Sequence, residues 1–239
     1  MSVSIAIIYQ DLLGTYGDRG NALALAYRAG LQNIDSEIVQ VGPGDKIPKS
    51  CDIYLLGGGE DNAQTLATSL LLENKKTFEN AIEKSLLVAI CAGFQILGKQ
   101  FPISDGKFHQ GLDMIDATTQ PGSPRIIGEV LTQSVIPEVG LLTGFENHGG
   151  RTILSNNANA FGTVISGMGN GIDTNSKFVD GYFSESIICS YLHGPLLARN
   201  PKLCDYILAK ATNVNFSSLK ETRDDTAAQL HSERLQANS

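Results

Sequence analysis

The chain has 239 residues, of which 42% are hydrophobic and 18% are charged. This composition is typical of a folded globular protein, and the length allows one large α/β domain or two small ones. A net charge of −7 without a lysine or arginine cluster argues against nonspecific nucleic-acid binding. No apolar run has the length of a membrane span and the first residues lack a secretory signal, so we expect a cytoplasmic protein without a membrane span.

Apolar, partly β-branched runs alternate with helical patterns along the first hundred residues. This alternation predicts an α/β fold with a doubly wound, mostly parallel sheet flanked by helices. Strands are predicted at residues 4–9, 36–41, 51–56 and 86–90, and helices at 22–29 and 63–84. Further strands are expected within residues 112–118, 125–133, 153–166 and 187–194, and a helix at 203–211. We predict one domain, residues 1–212, and a polar tail, residues 213–239, which is either a surface helix or partly unstructured.

Two polar loops follow predicted strands. Residues 10–21, QDLLGTYGDRGN, precede a predicted helix, and Asp18 is expected to cap the N-terminus of that helix. Residues 57–59 are three consecutive glycines, which allow close backbone approach and present N–H groups to a cleft. They lack the GK[ST] and GxGxxG patterns of phosphate loops, so an oxyanion hole fits better, and a flexible turn is the alternative.

The four cysteines are scattered along the sequence, at Cys51, Cys91, Cys189 and Cys204. Their spacing fits neither a CxxC motif nor a Cys/His metal site, so we expect no bound metal and reduced thiols. Three of them are expected to lie in the core. Only Cys91 has the surroundings of a catalytic residue.

Residues 85–98, SLLVAICAGFQILG, join a buried strand to a helical pattern through Cys91. This order is typical of a nucleophile elbow, in which small neighbours such as Ala89, Ala92 and Gly93 relieve crowding around a strained residue. The N-terminus of the helix is expected to favour the Cys91 thiolate and to lower its pKa from about 8.5. The alternative is a cysteine that packs as a small hydrophobe.

Two later segments carry candidate site residues. Residues 144–152, GFENHGGRT, concentrate polar side chains among three glycines, which predicts a polar site on a loop. Residues 187–194, IICSYLHG, predict a buried strand that ends in His193, where the sheet would fix the position of a general base. His148 is the competing base, and a hydrogen-bonded structural role is the alternative for either histidine.

Taken in order, the motifs GGGED, CAGFQ, GFENHGGRT and YLHGP resemble the class I (triad-type) glutamine amidotransferases, in the branch that includes cobyric acid synthase. The loop DLLGTYGDRGN narrows the resemblance to the GatD-type subunits of lipid II isoglutaminyl synthases. The resemblance implies a glutaminase that converts L-glutamine to glutamate and ammonia. It also implies a heterodimer with a MurT-like ligase that uses the ammonia to amidate the α-carboxyl of D-glutamate in lipid II, a step of peptidoglycan synthesis. ATP and magnesium are expected on that partner, and no cofactor in this chain.

The resemblance also assigns roles to individual residues. Cys91 would be the nucleophile and His193 its base. The backbone of Gly58 and Ala92 would form the oxyanion hole, and Arg125 would hold glutamine. A secondary set of candidate site residues consists of Gln95, Glu146, Asn147 and His148.

The chain departs from the family pattern at two positions. Ala89 stands two residues before the nucleophile, where glycine is usual, and it is small enough for the turn. Pro195 stands where most class I enzymes carry the glutamate that orients the histidine. We hypothesise that another carboxylate, supplied by the partner subunit, completes a triad; the alternative is a Cys–His dyad.

Two other functions fit parts of the sequence. One is amidation of a cobyrinate-like acceptor, although such synthetases carry an ATP-binding domain ahead of the glutaminase domain. The other is a non-catalytic, redox-sensing thiol protein that uses Cys91. This second alternative leaves His193 and Arg125 without a role.

Overall fold

The structure is a computed structural model that describes residues 1–103, 106–172, 177–219 and 225–237. The strands are β1 (Ser2–Ile8), β2 (Asp35–Val41), β3 (Ile53–Leu56), β4 (Leu86–Ile90), β5 (Gln100–Pro102), β6 (Phe108–Gln110), β7 (Ala117–Ser134), β8 (Leu141–Leu154), β9 (Gly162–Ser166), β10 (Val179–Asp180), β11 (Tyr182–Phe183) and β12 (Ile187–Ser190). The helices are α1 (Arg19–Leu31), α2 (Asp61–Glu73), α3 (Lys75–Ile82), α4 (Ala92–Leu97), α5 (Leu196–Arg199), α6 (Pro201–Ala211) and α7 (Asp225–Ala237).

The main sheet has six strands in the order β11-β12-β4-β3-β1-β2. Its five longer strands run parallel, and only the short edge strand β11 is antiparallel. Strands β3, β4 and β12 are buried along their whole length, which explains why they read as continuous apolar runs. The predicted α/β fold with a mostly parallel sheet flanked by helices is confirmed.

A second, antiparallel sheet has the order β10-β9-β7-β8. Its strands β7 and β8 form a long hairpin of 18 and 14 residues, so β7 extends across the predicted turn between residues 118 and 125. The pairing shifts register between Pro121 and Ile126, which is where the prolines and glycine of that segment interrupt the pattern. Residues 144–152 lie within β8, so their prediction as a loop was wrong.

The helices follow the predicted pattern with one interruption. The predicted helix at residues 63–84 is two helices: α2 ends at Glu73, the backbone of Asn74 leaves the helical region, and α3 starts directly after it. In the predicted tail, α7 packs back on the domain, where His231 Nδ1 lies 2.9 Å from the Arg199 carbonyl oxygen. Residues 220–224 and 238–239 of that tail lie outside the described residues. The boundary at residue 212 stays a prediction.

All four cysteines are free and buried. Cys51, Cys189 and Cys204 pack in the hydrophobic core, as predicted. Among the described residues, no helix is both long enough and apolar enough to cross a membrane. The same residues contain no group of three or more His, Cys, Asp or Glu side chains that could hold a metal ion.

Candidate active site

The candidate site lies at the carboxyl ends of three neighbouring strands. Because β3, β4 and β12 are parallel and adjacent, the residues that follow them meet at one edge of the sheet. Residues 57–59 follow β3, Cys91 follows β4, and His193 follows β12 after a two-residue extension. The topology therefore brings together three segments that are more than 30 residues apart in the sequence.

Cys91 occupies a strained turn between β4 and α4. Its φ of 52° and ψ of −104° lie in a region that non-glycine residues rarely adopt, which is the geometry of a nucleophile elbow. The turn is held by the Cys91 N–H, which donates to the Ser190 carbonyl at 2.9 Å, and by the Gly93 N–H, which donates to the Gly57 carbonyl at 3.1 Å. A Cβ at Gly93 would lie 2.7 Å from the Leu56 carbonyl oxygen, so the small residue is required. The predicted elbow is confirmed.

The predicted low pKa of Cys91 was wrong. Burial raises the pKa of its thiol to about 12, and the nearby Asp18 carboxyl raises it further, whereas the Ala92 N–H lowers it. Because α4 is a helix of only six residues and the sulfur is almost fully shielded from water, desolvation outweighs the favourable helix terminus. Cys91 therefore rests as a thiol and needs a base to become nucleophilic.

His193 has the properties of that base. Its backbone exchanges two hydrogen bonds with Phe145 of β8, at 2.9 and 3.0 Å, which fixes the residue between the two sheets. Its ring packs on Tyr16, with 4.3 Å between ring centroids, and within the described residues neither ring nitrogen has a hydrogen-bond partner. Burial lowers the pKa of His193 to about 4, so the neutral ring can accept a proton at neutral pH.

The amide of Gly58 is already occupied. Its N–H donates to Asp18 Oδ2 at 2.8 Å, so Asp18 does not cap α1 through its side chain as predicted. Gly59, and not Gly58, lines the cavity beside Cys91 and Ala92. The assignment of Gly58 to an oxyanion hole stays a prediction, and the arrangement of the backbone favours its neighbour Gly59.

A cavity of about 230 Å³ opens beside the thiol of Cys91. Arg125 lies in its wall, where Nε donates to Asn147 Oδ1 at 2.6 Å and Nη2 lies 3.3 Å from the Tyr16 hydroxyl. These contacts hold the guanidinium in place while the side chain stays open to solvent. A larger cavity of about 630 Å³, between α6 and α7, contains neither Cys91 nor His193.

The polar residues of β8 alternate along the strand. Glu146, His148 and Thr152 are buried, whereas Asn147 and Arg151 lie on the opposite, less buried face. Glu146 and Thr152 bond to remote segments, and the His148 ring bonds to Gly150 of its own strand, which makes a polar strand tolerable in the interior.

Of these residues, His148 faces the cavity and Glu146 does not. The His148 ring stacks on Tyr191 at 3.8 Å, and Nδ1 lies 2.9 Å from the Gly150 carbonyl oxygen, so Nδ1 carries the proton. Burial lowers the pKa of His148 to about 4. The Glu146 carboxylate instead accepts backbone N–H groups of Met168 and Gly169 at 2.8 to 3.2 Å, which is a structural role.

A buried hydrogen-bond network supports the floor of the site. Gln95 donates to the Tyr191 hydroxyl at 3.0 Å and accepts from Gln64 Nε2 at 3.0 Å. The Tyr191 and Thr152 hydroxyls are 2.6 Å apart, which links this network to β8. The network fixes α4, and with it the elbow, against both sheets.

The structure brings most of the predicted site residues to one cavity. Its lining includes Cys91, Ala92, Gln95, Arg125, Asn147 and His148. His193 and Gly58 are not part of this lining, and they lie close to each other: a Cβ at Gly58 would be 3.0 Å from His193 Cε1. Sequence reasoning missed Tyr16, Gly59, Glu60 and Gln64, although the motifs that contain Tyr16, Gly59 and Glu60 had been singled out.

Comparisons with known proteins agree with this geometry. Two relatives are GatD subunits of glutamine-hydrolysing lipid II isoglutaminyl synthases. That of Staphylococcus aureus (strain N315) is 34% identical over 94% of this chain and 90% of its own length. That of Streptococcus pneumoniae (strain ATCC BAA-255 / R6) is 33% identical over 87% and 80%. A cobyric acid synthase of Sphingopyxis alaskensis is 28% identical over 73% of this chain but only 34% of its own length.

Solved structures support the fold at low identity. A glutamine amidotransferase crystal structure superposes with a TM-score of 0.58 at 15% identity, covering 87% of this chain and 98% of that one. The glutaminase domain of Trypanosoma brucei CTPS, with bound acivicin, has a TM-score of 0.53 at 10% identity, covering 89% and 95%. Residues 4–201 match the CobB/CobQ-like glutamine amidotransferase domain. The chain therefore belongs to the CobB/CobQ-like glutamine amidotransferases.

Proposed function

We propose that this chain is the glutaminase subunit of an enzyme that amidates lipid II. The observation that carries the proposal is the strained Cys91 at the end of β4, which faces a cavity walled by Arg125. The neutral His193 follows the neighbouring parallel strand β12 at the same edge of the sheet. The two GatD relatives resemble the chain over most of their own length. The reaction is the hydrolysis of L-glutamine to glutamate and ammonia.

The side chains present can perform each step of this hydrolysis. His193 takes the thiol proton as Cys91 Sγ attacks the side-chain amide carbon of glutamine. The oxyanion is stabilised by backbone N–H groups, and we assign this role to Ala92 and Gly59, which line the cavity. His193 then gives the proton to the leaving nitrogen, so that ammonia departs and a glutamyl thioester remains. Water, deprotonated by His193, releases glutamate and restores the thiol.

The redox-sensor alternative fits the structure less well. Sensor cysteines have a low pKa and are accessible to solvent. Cys91 has a raised pKa and is 6% exposed. A sensor role would also leave the Arg125 contacts and the cavity unexplained.

The acceptor and the partner follow from the relatives. We propose that ammonia passes to a MurT-like ligase, which binds ATP and magnesium and amidates the α-carboxyl of D-glutamate in lipid II. The cobyrinate alternative is less favoured, because the cobyric acid synthase match leaves two thirds of that protein uncovered. The proposal places the reaction in the cytoplasm, the compartment that keeps free cysteines reduced.

The third catalytic group is also part of the proposal. Pro195 occupies the usual position of the acid, and within the described residues no carboxylate bonds to either nitrogen of His193. A carboxylate of the partner subunit would complete a triad there, and a Cys–His dyad is the alternative. If the isolated chain hydrolyses glutamine as fast as the complex does, the partner-supplied acid is excluded.

The proposed function is tested by glutamate release from L-glutamine, measured for the chain alone and with its ligase partner. We expect turnover that is faster in the complex and that Cys91→Ala reduces to background. Cys204→Ala, a buried cysteine outside the site, is the matched control for thiol loss. Equal turnover in the Cys91→Ala protein, or none in a wild-type complex shown to be assembled, contradicts the proposal.

Arg125 gives a second prediction, on substrate affinity. Its guanidinium can bind the α-carboxylate of glutamine through a charge-assisted hydrogen bond from Nη1, the nitrogen that does not contact Asn147 or Tyr16. We expect Arg125→Met to lower kcat/KM for glutamine about 100-fold, mostly through KM, because such contacts are worth roughly 2–3 kcal/mol. Arg19→Met, at an exposed arginine outside the cavity, should leave both constants within twofold of wild type. An unchanged KM for Arg125→Met would remove Arg125 from substrate binding.

A further inference from the structure

The loop between β1 and α1, residues 9–18, packs directly on the three glycines of residues 57–59. A Cβ at Gly57 would lie 1.9 Å from the Leu13 carbonyl oxygen, and one at Gly59 would lie 2.7 Å from the Leu12 carbonyl oxygen. At Gly58 a Cβ would lie 3.0 Å from the Tyr16 ring. The run of glycines therefore exists because another loop occupies the space that side chains would need.

Two hydrogen bonds from the loop fix the orientation of Gly58. Its N–H donates to Asp18 Oδ2 at 2.8 Å, and its carbonyl accepts from the Thr15 N–H at 3.2 Å. In a trans peptide the C=O of one residue and the N–H of the next point in opposite directions. Because the Gly58 carbonyl points to Thr15, the Gly59 N–H points away from the loop, and Gly59 lines the cavity together with Cys91.

A simple packing role does not explain Asp18, because burying its carboxylate lowers the stability of the fold. It is 5% exposed, and its carboxylate gains one hydrogen bond from the backbone, that of Gly58, while it gives α1 no side-chain cap. A buried carboxylate costs stability unless its hydrogen bonds compensate for the lost water. A residue held at such a cost beside a catalytic cysteine is better explained by what it orients.

We propose that Asp18 is a positioning residue of the glutaminase: its carboxylate holds the Gly57–Gly58 peptide while the Thr15 N–H holds the Gly58 carbonyl, and together they preset the Gly59 N–H to receive the oxyanion. The inference rests on the proposed function and deepens it. Asp18 touches neither substrate nor thiol in this scheme. Apart from the charge effect by which it raises the pKa of Cys91, it acts through the backbone of residues 57–59. In this scheme the TYGDRG motif holds the backbone of the GGGED motif, and the GGGED motif provides an N–H group of the oxyanion hole.

The test uses the chain in complex with its ligase partner. Asp18→Ala leaves the Gly58 N–H buried without an acceptor. We expect kcat for glutamine hydrolysis to fall about 100-fold and KM to change less than threefold. The loss of an oxyanion-hole donor has an effect of this size on kcat. Asp18→Asn keeps an acceptor oxygen of the same size and should restore at least a third of wild-type kcat. Asp11→Ala, the same change in the same loop at an exposed residue, is the matched control.

Rates are expressed per reactive Cys91, counted by titration with a chloromethyl ketone analogue of glutamine, so that misfolded protein does not count. If Asp18→Ala does not fold, Asp18→Ser takes its place, since its shorter hydroxyl does not reach Gly58. A kcat within threefold of wild type for the Ala or Ser variant overturns the proposal. An Asn variant as slow as the Ala variant also overturns it. If wild-type hydrolysis does not depend on Cys91, the proposed function itself has failed instead.

Discussion

Replacing His193 by asparagine should lower glutamine hydrolysis at least 1,000-fold, both in the isolated chain and in the complex. The reason is the raised pKa of Cys91: a thiol that burial holds protonated cannot attack unless a neighbouring base removes its proton. The lowered pKa of His193 keeps that base neutral at the pH of the assay. Loss of the imidazole removes both the thiol activation and the protonation of the leaving ammonia.

The folding of this variant should be nearly unchanged. Neither ring nitrogen of His193 has a partner within the described residues, so asparagine removes mainly the packing on Tyr16. The same substitution at His109, a histidine of β6 that packs on Phe101 away from the cavity, should leave turnover unchanged. Turnover of His193→Asn within tenfold of wild type would mean that the base is elsewhere. His148 lines the cavity, and its Nε2 has no hydrogen-bond partner in the part of the chain that the structure describes, so it would then be the candidate.

The parts of the site that depend on local pattern were predictable from the sequence. The buried strand before Cys91 and the small residues around it specify an elbow, because no other side chains fit the crowded turn. His193 was predictable because a buried apolar run ends there. Both predictions rest on chain segments shorter than ten residues.

The parts that depend on distant contacts were not predictable. The Asp18 side chain was expected to serve its own helix, but its partner is Gly58, 40 residues away. The sequence of β8 predicts a loop, and this prediction is wrong. The N–H groups that bind the Glu146 carboxylate come from Met168 and Gly169, 22 and 23 residues away, and local sequence does not reveal them. The period-two alternation of Glu146, His148 and Thr152 was the signal that could have revealed the strand.

The direction of the pKa shift of Cys91 also depends on distant contacts and was not predictable from the sequence. A helix N-terminus can be read from sequence, and it does favour the thiolate, through the Ala92 N–H. The desolvation that opposes it comes from the whole of the surrounding fold, including the carboxyl of Asp18. The sign of the shift is thus a property of the packed structure and not of the motif.

Gly57→Ala should damage both folding and catalysis. The added methyl group would lie 1.9 Å from the Leu13 carbonyl oxygen and 2.7 Å from Asp18 Cβ, and the carbonyl is backbone that cannot rotate away. The loop of residues 9–18 must shift or the chain after β3 must shift, at a cost of about 3 kcal/mol in the free energy of unfolding. Either movement separates Asp18 from the Gly58 N–H, so we expect glutamine hydrolysis to fall more than 100-fold in the protein that still folds.

Gly30→Ala separates this steric effect from the general effect of replacing a glycine. Gly30 lies in α1, where a Cβ would meet no heavy atom of the described residues within 4 Å outside its chain neighbours and the helix's own backbone. Alanine there should raise stability by up to about 1 kcal/mol without changing turnover. Thermal unfolding and turnover, measured for both variants, show whether the effect of Gly57→Ala is steric.

If Gly57→Ala unfolds and turns over like wild type, the loop of residues 9–18 does not pack on the glycines. The support for the oxyanion hole must then come from another part of the chain. A stability loss with unchanged kcat would instead mean that the loop tightens the fold but does not orient the Gly58 peptide.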